Sequence, residues 1–341
     1  MKRLLYSGAV AIGLLASTTA AHATLTLTAA GISDGFLLTT FATIDPGNTG
    51  FGPFGLAVNN NNQAIVSDTL SGNVYIFSDV DGQTPASALH TRAGAATGTV
   101  GMTATGGFYY GAAPGNGNFG GSFTRYNADG TVNSTLSSVS PPLHPYLGMA
   151  ATPTGHIIAT TDSGQLVDIT PGANAGAGSS RLIATPGTGF DGVSVNAAGT
   201  QAIIENSGTI QVYDIATGAL LHTYSPGNSP DGTGVISGGP LSGQIIANGN
   251  NGSIVLIDPA GSGGLGSFTT IASGGTRGDY TAADPNGTLL LDYSDIVARL
   301  SCGTGCSIGG GGTPTVPEPI TLSILGTGLL GLALARRSRR G

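Results

Sequence analysis

The 341-residue chain has no tryptophan, a single lysine (Lys2), two cysteines and only 9% charged residues. Each scarcity excludes something. Long amphipathic helices are built from runs of Ala, Glu, Lys and Leu, so a helical bundle is excluded. Cys302 and Cys306 have no second pair and cannot supply the four ligands of a structural zinc site. The histidines beyond the N-terminal segment, His90, His144, His156 and His222, lie far apart and form neither H-x-H nor H-E-x-x-H. Each reads as a structural or surface residue. Between residues 24 and 318, five arginines (Arg92, Arg125, Arg181, Arg277, Arg299) stand against all 18 carboxylates, leaving this body near −13. Such a surface repels phosphate backbones, which excludes nucleic acid as a partner. It suits divalent cations or neutral glycans.

Glycine is abundant, at 59 residues, with 18 prolines. The glycines keep no three-residue period, so collagen is excluded. Hydrophobic residues make up 40% of the chain, enough to bury a sizeable core.

Both ends read as addresses. Lys2-Arg3, an apolar run from Leu4 to Ala16 and the small-residue site Ala21-His22-Ala23 make a secretory signal peptide over residues 1–23, cleaved by signal peptidase after Ala23. Near the other end, Gly309–Gly312 lie in a glycine-rich linker assigned to residues 303–315. Val316-Pro317-Glu318-Pro319 follows, then an apolar stretch from Ile320 to Ala335, then Arg336, Arg337, Arg339 and Arg340. Sixteen helical residues span about 24 Å, short of a hydrocarbon core near 30 Å. The arginines stay cytoplasmic by the positive-inside rule, which places the body outside.

This tripartite end, residues 316–341, resembles the PEP-CTERM sorting signal of Gram-negative bacteria. The resemblance implies that Pro317-Glu318-Pro319 is read by an exosortase. It also implies that the helix and arginines hold the chain in the membrane until it is processed. The expected fate is export across the inner membrane, followed by display at the cell surface or release. The family further implies an association with exopolysaccharide and extracellular matrix.

Between the addresses a unit recurs. Gly55-Leu56-Ala57-Val58, Ala64-Ile65-Val66 and Val74-Tyr75-Ile76-Phe77 form one copy; Gly192-Val193-Ser194-Val195, Ala202-Ile203-Ile204 and Ile210-Gln211-Val212-Tyr213 form another. Copies begin near Gly55, Gly101, Gly148, Gly192, Gly234 and Gly278, at intervals of 46, 47, 44, 42 and 44 residues. That is the length of a four-stranded propeller blade. Fourth strands follow in the first five copies, for example Leu220-Leu221-His222-Thr223. The sixth lacks one, and Phe36–Phe41 is the spare strand expected to complete it and so remove the last open sheet edge. The expected fold is an all-β, six-bladed β-propeller over residues 24–302, its N-terminal strand closing the last blade. It is flanked by the signal peptide and a C-terminal transmembrane sorting helix. The pattern resembles the NHL-type and lactonase-type propellers; without tryptophan the WD signature is absent.

Loops before the first strand and between the second and third strands of a blade share one face of a propeller. The repeat puts Asp191, Asp231 and Asp279 in the first kind, and Asp68, Asp162, Glu205, Asp292 and Asp295 in the second. An acidic rim round one channel mouth is expected. Converging hard oxygens suit Ca²⁺, and perturbed carboxyls there could serve as acid or base. The lactonase resemblance implies a metal at this mouth, while Asp-Gly and Asp-Ser are equally ordinary turn chemistry. No cofactor is otherwise indicated. The G-x-G-x-x-G matches at Gly50, Gly115 and Gly187 open no helix, and Gly305–Gly309 mimics a nucleophile elbow without one. An oxidising compartment favours a Cys302–Cys306 disulfide. Three readings remain: a surface-sorted propeller that binds a glycan or matrix partner without catalysis, a metal-dependent, lactonase-like hydrolase, or a purely structural propeller packed into the extracellular matrix.

Overall fold

The computed structural model describes residues 24–94, 100–112, 123–135, 146–172, 178–187 and 191–309. The expected leader, His144, and the sorting segment with the helix expected in it lie outside them. The described residues fold into six antiparallel sheets arranged radially. Blade 1 comprises Pro53–Asn59, Gln63–Asp68, Asn73–Ser78 and His90–Arg92. Blades 2, 3 and 4 run over 103–135, 146–184 and 193–224 in the same in-to-out strand order. Blade 5 is built on Pro230–Ser237, Ile245–Gly249, Ile254–Asp258 and Ser267–Ser273, and blade 6 on Gly278–Ala283, Leu289–Tyr293 and Ile296–Ser301. Each innermost strand contacts the next, and the sixth contacts the first, so the ring is closed.

The core is divided into wedges between blades. Ala57, Ile65 and Ile76 of blade 1 meet Met102, Tyr109 and Tyr126 of blade 2. Ile203, Ile210 and Val212 of blade 4 meet Val235, Ile245 and Val255 of blade 5. A middle strand is covered on both faces, which is why Ala64-Ile65-Val66 reads as a continuous apolar run instead of alternating. Outer strands have one open face, and Leu220–His222 is exposed.

Glycine starts the inner strands for a steric reason. The six strands converge on one axis, and a Cβ at Gly148, Gly192 or Gly232 would overlap the carbonyl oxygen of Asp191, Asp231 or Asp279 in the following blade. The Gly192 N–H instead donates to the Asp231 carbonyl at 2.9 Å. This device lays Asp191, Asp231 and Asp279 side by side round the channel.

Leu37–Thr43 closes the ring. It pairs antiparallel with Ile296–Ser301, Leu37 opposite Ser301 and Thr43 opposite Ile296, with a bulge between Thr40 and Ala42. Phe41, fully buried, meets the edge of Phe77 at 6.2 Å across the blade 6–blade 1 seam. Arg299 lies 5.0 Å over the Phe41 ring and pairs with Asp79, with Asp81 at 3.2 Å and with Asp284 at 3.7 Å. The expected strand was two residues short at its C-terminal end.

Ordered packing continues past Cys302, where a linker was expected from residue 303. Cys302 and Cys306 form a disulfide, and the turn they close delivers Ser307–Ile308 to the end of blade 5's innermost strand, Ile308 opposite Ile236. Ile308 is fully buried, so a short apolar side chain outweighs the glycines around it. Thr26–Leu27 adds to the outer edge of the same blade. Blade 5 is therefore six-stranded and holds both ends of the described chain.

Candidate metal centre

Asp191 and Asp231 precede Gly192 and Gly232 in the first residues of the inner-strand segments of blades 4 and 5, and Glu205 is the penultimate residue of the second strand of blade 4. One carboxylate oxygen from each of the three lies within 4.8 Å of the others. Oxygens on opposite sides of a Ca²⁺ bound at 2.3–2.6 Å are about 4.6–5.2 Å apart, so the trio fits a shared cation of that size. Glu205 and Asp231 are buried and Asp191 is half-buried. The Glu205 carboxylate accepts from the Gly208 N–H at 2.8 Å and the Asp191 N–H at 3.3 Å, which aims it at its neighbours.

Asp279 and Asp292 extend the cluster into blade 6. The Asp279 N–H donates to Asp292 Oδ1 at 2.9 Å, while Asp292 Oδ2 is buried with no partner. Asn248, at the end of blade 5's second strand, donates to the carbonyls of Asp279 at 3.1 Å and Asp292 at 3.4 Å; its own Oδ1 is also buried without a partner. Unpaired buried oxygens are costly, and a cation is one remedy. The arginine at this cluster is Arg277. It pairs with Asp279 and, at 3.2 Å, with Asp231, donates from Nε to Asn250 at 2.8 Å, and lies 4.4 Å over the Phe51 ring.

One guanidinium cannot balance five carboxylates. Burial, opposed by the Gly208 N–H, pushes Glu205 up to about 8, and the Asp231 and Asp191 charges push the same way. Burial and then the Asp231 charge raise Asp191 to about 7. Burial and hydrogen bonding to Asp231 raise Asp279 to about 8, and burial with the Asp279 charge holds Asp292 well above the carboxylate range. At neutral pH without a cation, the cluster keeps protons that a divalent ion would displace.

Beneath the carboxylates the channel has an apolar floor. Phe54, Val100 and Tyr280 are buried together, with Leu147 packed against them. The Tyr280 ring meets Phe54 edge-on at 5.9 Å, and its hydroxyl lies 3.5 Å from Asp191 Oδ1. Below that floor, a separate cavity of about 390 Å³ opens on the opposite face between Val58, Thr105, Pro153 and Pro285.

Three of the carboxylates expected at the rim stay away. Asp162 is exposed in its own turn. Asp68, on the same face, caps the turn after it through the Leu70 N–H at 2.9 Å and the Ser71 N–H at 3.2 Å. It also faces Asp45, which burial and then the Asp68 charge raise to about 7. Asp295 accepts from Thr276 at 3.1 Å, at the same blade 6–blade 1 seam. Arg277, Tyr280 and Asn248 were not anticipated. Asn248 was findable, because it occupies in blade 5 the repeat position that Glu205 and Asp292 hold in blades 4 and 6. Arg277 carried no local signal. Of the histidines, His156 bonds Asp168 at 2.9 Å on the outside of blade 3, and His222 stacks on Tyr224.

Comparison with known proteins agrees at two levels. Residues 315–340 match the PEP-CTERM protein-sorting motif. No curated protein matches the chain. Solved structures of the same fold include a gluconolactonase from Xanthomonas campestris (14% identity, TM-score 0.57, covering 81% of this chain and 94% of that one). An oxidoreductase described as a glucose dehydrogenase from Thermus thermophilus is similar (14%, TM-score 0.55, 78% and 100%). So is a luciferin-regenerating enzyme (11%, TM-score 0.53, 82% and 99%). At these identities the likeness is one of fold. The sorting motif implies an exported protein at the cell surface or beyond it.

Proposed function

We propose that this exported propeller holds one divalent cation, Ca²⁺ by ligand chemistry, on Asp191, Glu205 and Asp231, and uses it to bind a neutral glycan or matrix component at the cell surface. The observation that carries the reading is the convergence of three carboxylate oxygens from two blades within 4.8 Å. Ca²⁺ takes six to eight oxygens, so three carboxylates leave room in its shell for paired hydroxyls of a sugar. Asp279 and Asp292 supply further negative charge beside the site, and Arg277 holds Asp231 and Asp279 in place. The body's strong negative charge disfavours anionic ligands.

A second reading, a cation-dependent lactonase, is favoured by Asp191. It is the most solvent-accessible of the three carboxylates, Glu205 and Asp231 being buried. In that case the cation would polarise a carbonyl, and Asp191 would take a proton from the attacking water.

Elemental analysis of the purified body, before and after chelation, tests both readings. One Ca²⁺ per chain, with calcium-dependent retention on immobilised polysaccharide and no lactone turnover, supports the binder. Stoichiometric Ca²⁺ whose removal abolishes lactone hydrolysis supports the enzyme. A body that takes up no divalent ion at pH 8 removes the cation from both.

A further inference from the structure

We infer that, while the sorting segment is attached, the propeller stands with its 390 Å³ channel opening against the bilayer and its acidic mouth pointing away from the cell. The inference rests on the reading that the apolar run from Ile320 lies in the membrane.

The place where the chain leaves the body sets the orientation. Ser307–Ile308 pairs with Ser237–Ile236, the end of blade 5's innermost strand that is remote from Asp231. The Ile308 N–H donates to the Gly287 carbonyl at 2.9 Å and the Gly309 N–H to the Val235 carbonyl at 2.7 Å. Gly309 itself lines the channel cavity. The C-terminal exit is thus close to the propeller axis, on the face opposite the carboxylates.

The length of chain beyond it does the rest. Gly309 to Ile320 is eleven residue steps, about 36–40 Å at full stretch. To bring the acidic face to the same membrane, that leash would have to cross four strands, about 14 Å, and then descend the length of an eight-residue strand such as Pro230–Ser237, about 26 Å. The side chains clothing the blade lengthen the path further, beyond the reach of the leash. The face that carries the exit meets no such limit.

Two further features agree. The described N-terminus lies on the other side: Thr26 pairs with Ser273, at the acidic-face end of blade 5's outer strand, and the Thr24 carbonyl abuts Gly274. Removal of the leader therefore frees the acidic face. The rim of the channel opening presents uncharged Asn60, Thr105, Pro153 and Pro285, and its one carboxylate, Asp284, faces Arg299 at 3.7 Å. Ligands thus reach the proposed cation site from the outside, even before the chain is processed.

The test uses the full chain, with its leader removed, reconstituted in vesicles of phosphatidylethanolamine and phosphatidylglycerol that carry nitroxide-labelled headgroups. A fluorophore is placed on single cysteines, Asn60→Cys or Thr154→Cys on the opening's face and Leu70→Cys or Asp162→Cys on the acidic face; all four positions are exposed. The expected result is loss of emission at Asn60 and Thr154 with none at Leu70 and Asp162. Loss at Leu70 and Asp162, or equal loss at all four, overturns the orientation while leaving the tether intact. A chain that does not float with the vesicles overturns the tether and the orientation together.

Discussion

The sharpest consequence of five clustered carboxyls is that calcium binding and pH are coupled, with a calculable slope. Glu205 titrates at about 8 and Asp191 at about 7, against ordinary values of 4.5 and 3.8. Both must lose their protons to ligate a cation. At about pH 6 a proton competes roughly a hundredfold at Glu205 and tenfold at Asp191; at about pH 8 the two penalties shrink to about twofold and nearly none. The apparent affinity for Ca²⁺ should therefore rise between two and three powers of ten across that interval. Calorimetric titration of the body at several pH values, in buffers of different ionisation enthalpy, reads both the affinity and the protons released. The sign for the fold is opposite. These folded pKa values lie above the unfolded ones, so protonation favours the native state. The stability they supply is complete below about pH 4 and is lost as pH rises through about 7 to 8. For buried Glu205 alone, a shift from 4.5 to about 8 is on the order of 5 kcal/mol, an upper figure because the neighbours share the strain. The metal-free protein should melt at progressively lower temperature from about pH 6 to about pH 9, and saturating Ca²⁺ should flatten that decline. A calcium affinity that is independent of pH, or a metal-free Tm that rises over this range, would refute the reasoning.

Three substitutions probe the remaining claims. Asp231→Asn removes one ligand and one repelling charge. It should cost more than tenfold in Ca²⁺ affinity while leaving the metal-free Tm at pH 8 unchanged or higher, and a marked drop in that Tm would show that Asp231 is chiefly the structural partner of Arg277. Gly192→Ala pushes a Cβ into the Asp231 carbonyl and should destabilise by about 1–3 kcal/mol in urea; an unchanged midpoint would mean that the inner strands are not held that closely. Phe41→Ala empties a fully buried site on the closing strand and should destabilise by about 3–5 kcal/mol, with protease cleavage first in residues 24–43. Loss of stability without exposure of that segment would place the weak seam elsewhere.

Blade number and ring closure were legible because each rests on a local rule repeated many times. The inner-strand glycines recur every 42–47 residues; at Gly101, Gly148 and Gly192 the reason is a carbonyl of the next blade, a contact that blade 5 makes at Gly232, two residues before its repeat glycine. Phe36–Phe41 stood out as a strand without a hairpin partner, opposite a sixth repeat that lacked one, and the observed strand Leu37–Thr43 fills that place. The site was half legible. Repeat phase put the carboxylates on one face, but it could not separate Asp191, Glu205 and Asp231, which share a point, from Asp162, which is exposed, and Asp68, which caps its own turn. The separation depends on how far each side chain stands from the axis and on which blades adjoin, and neither is encoded locally. Tyr280 escaped notice because its partner Asp191 is 89 residues away, and Arg277 because, beside its neighbour Asp279, it reaches Asp231, 46 residues away.

By itself, the sequence determined the C-terminal sorting motif, the period of the body and its strong negative charge, since composition and short-range order suffice for all three. Tertiary structure alone decided which carboxylates meet, that a single arginine pairs with two of them, that Phe54, Val100 and Tyr280 cluster beside them, and on which face each end of the described chain emerges. These depend on closing the ring. Until the first strand pairs with the last blade, residues dozens of positions apart have no fixed distance and their charges no common environment.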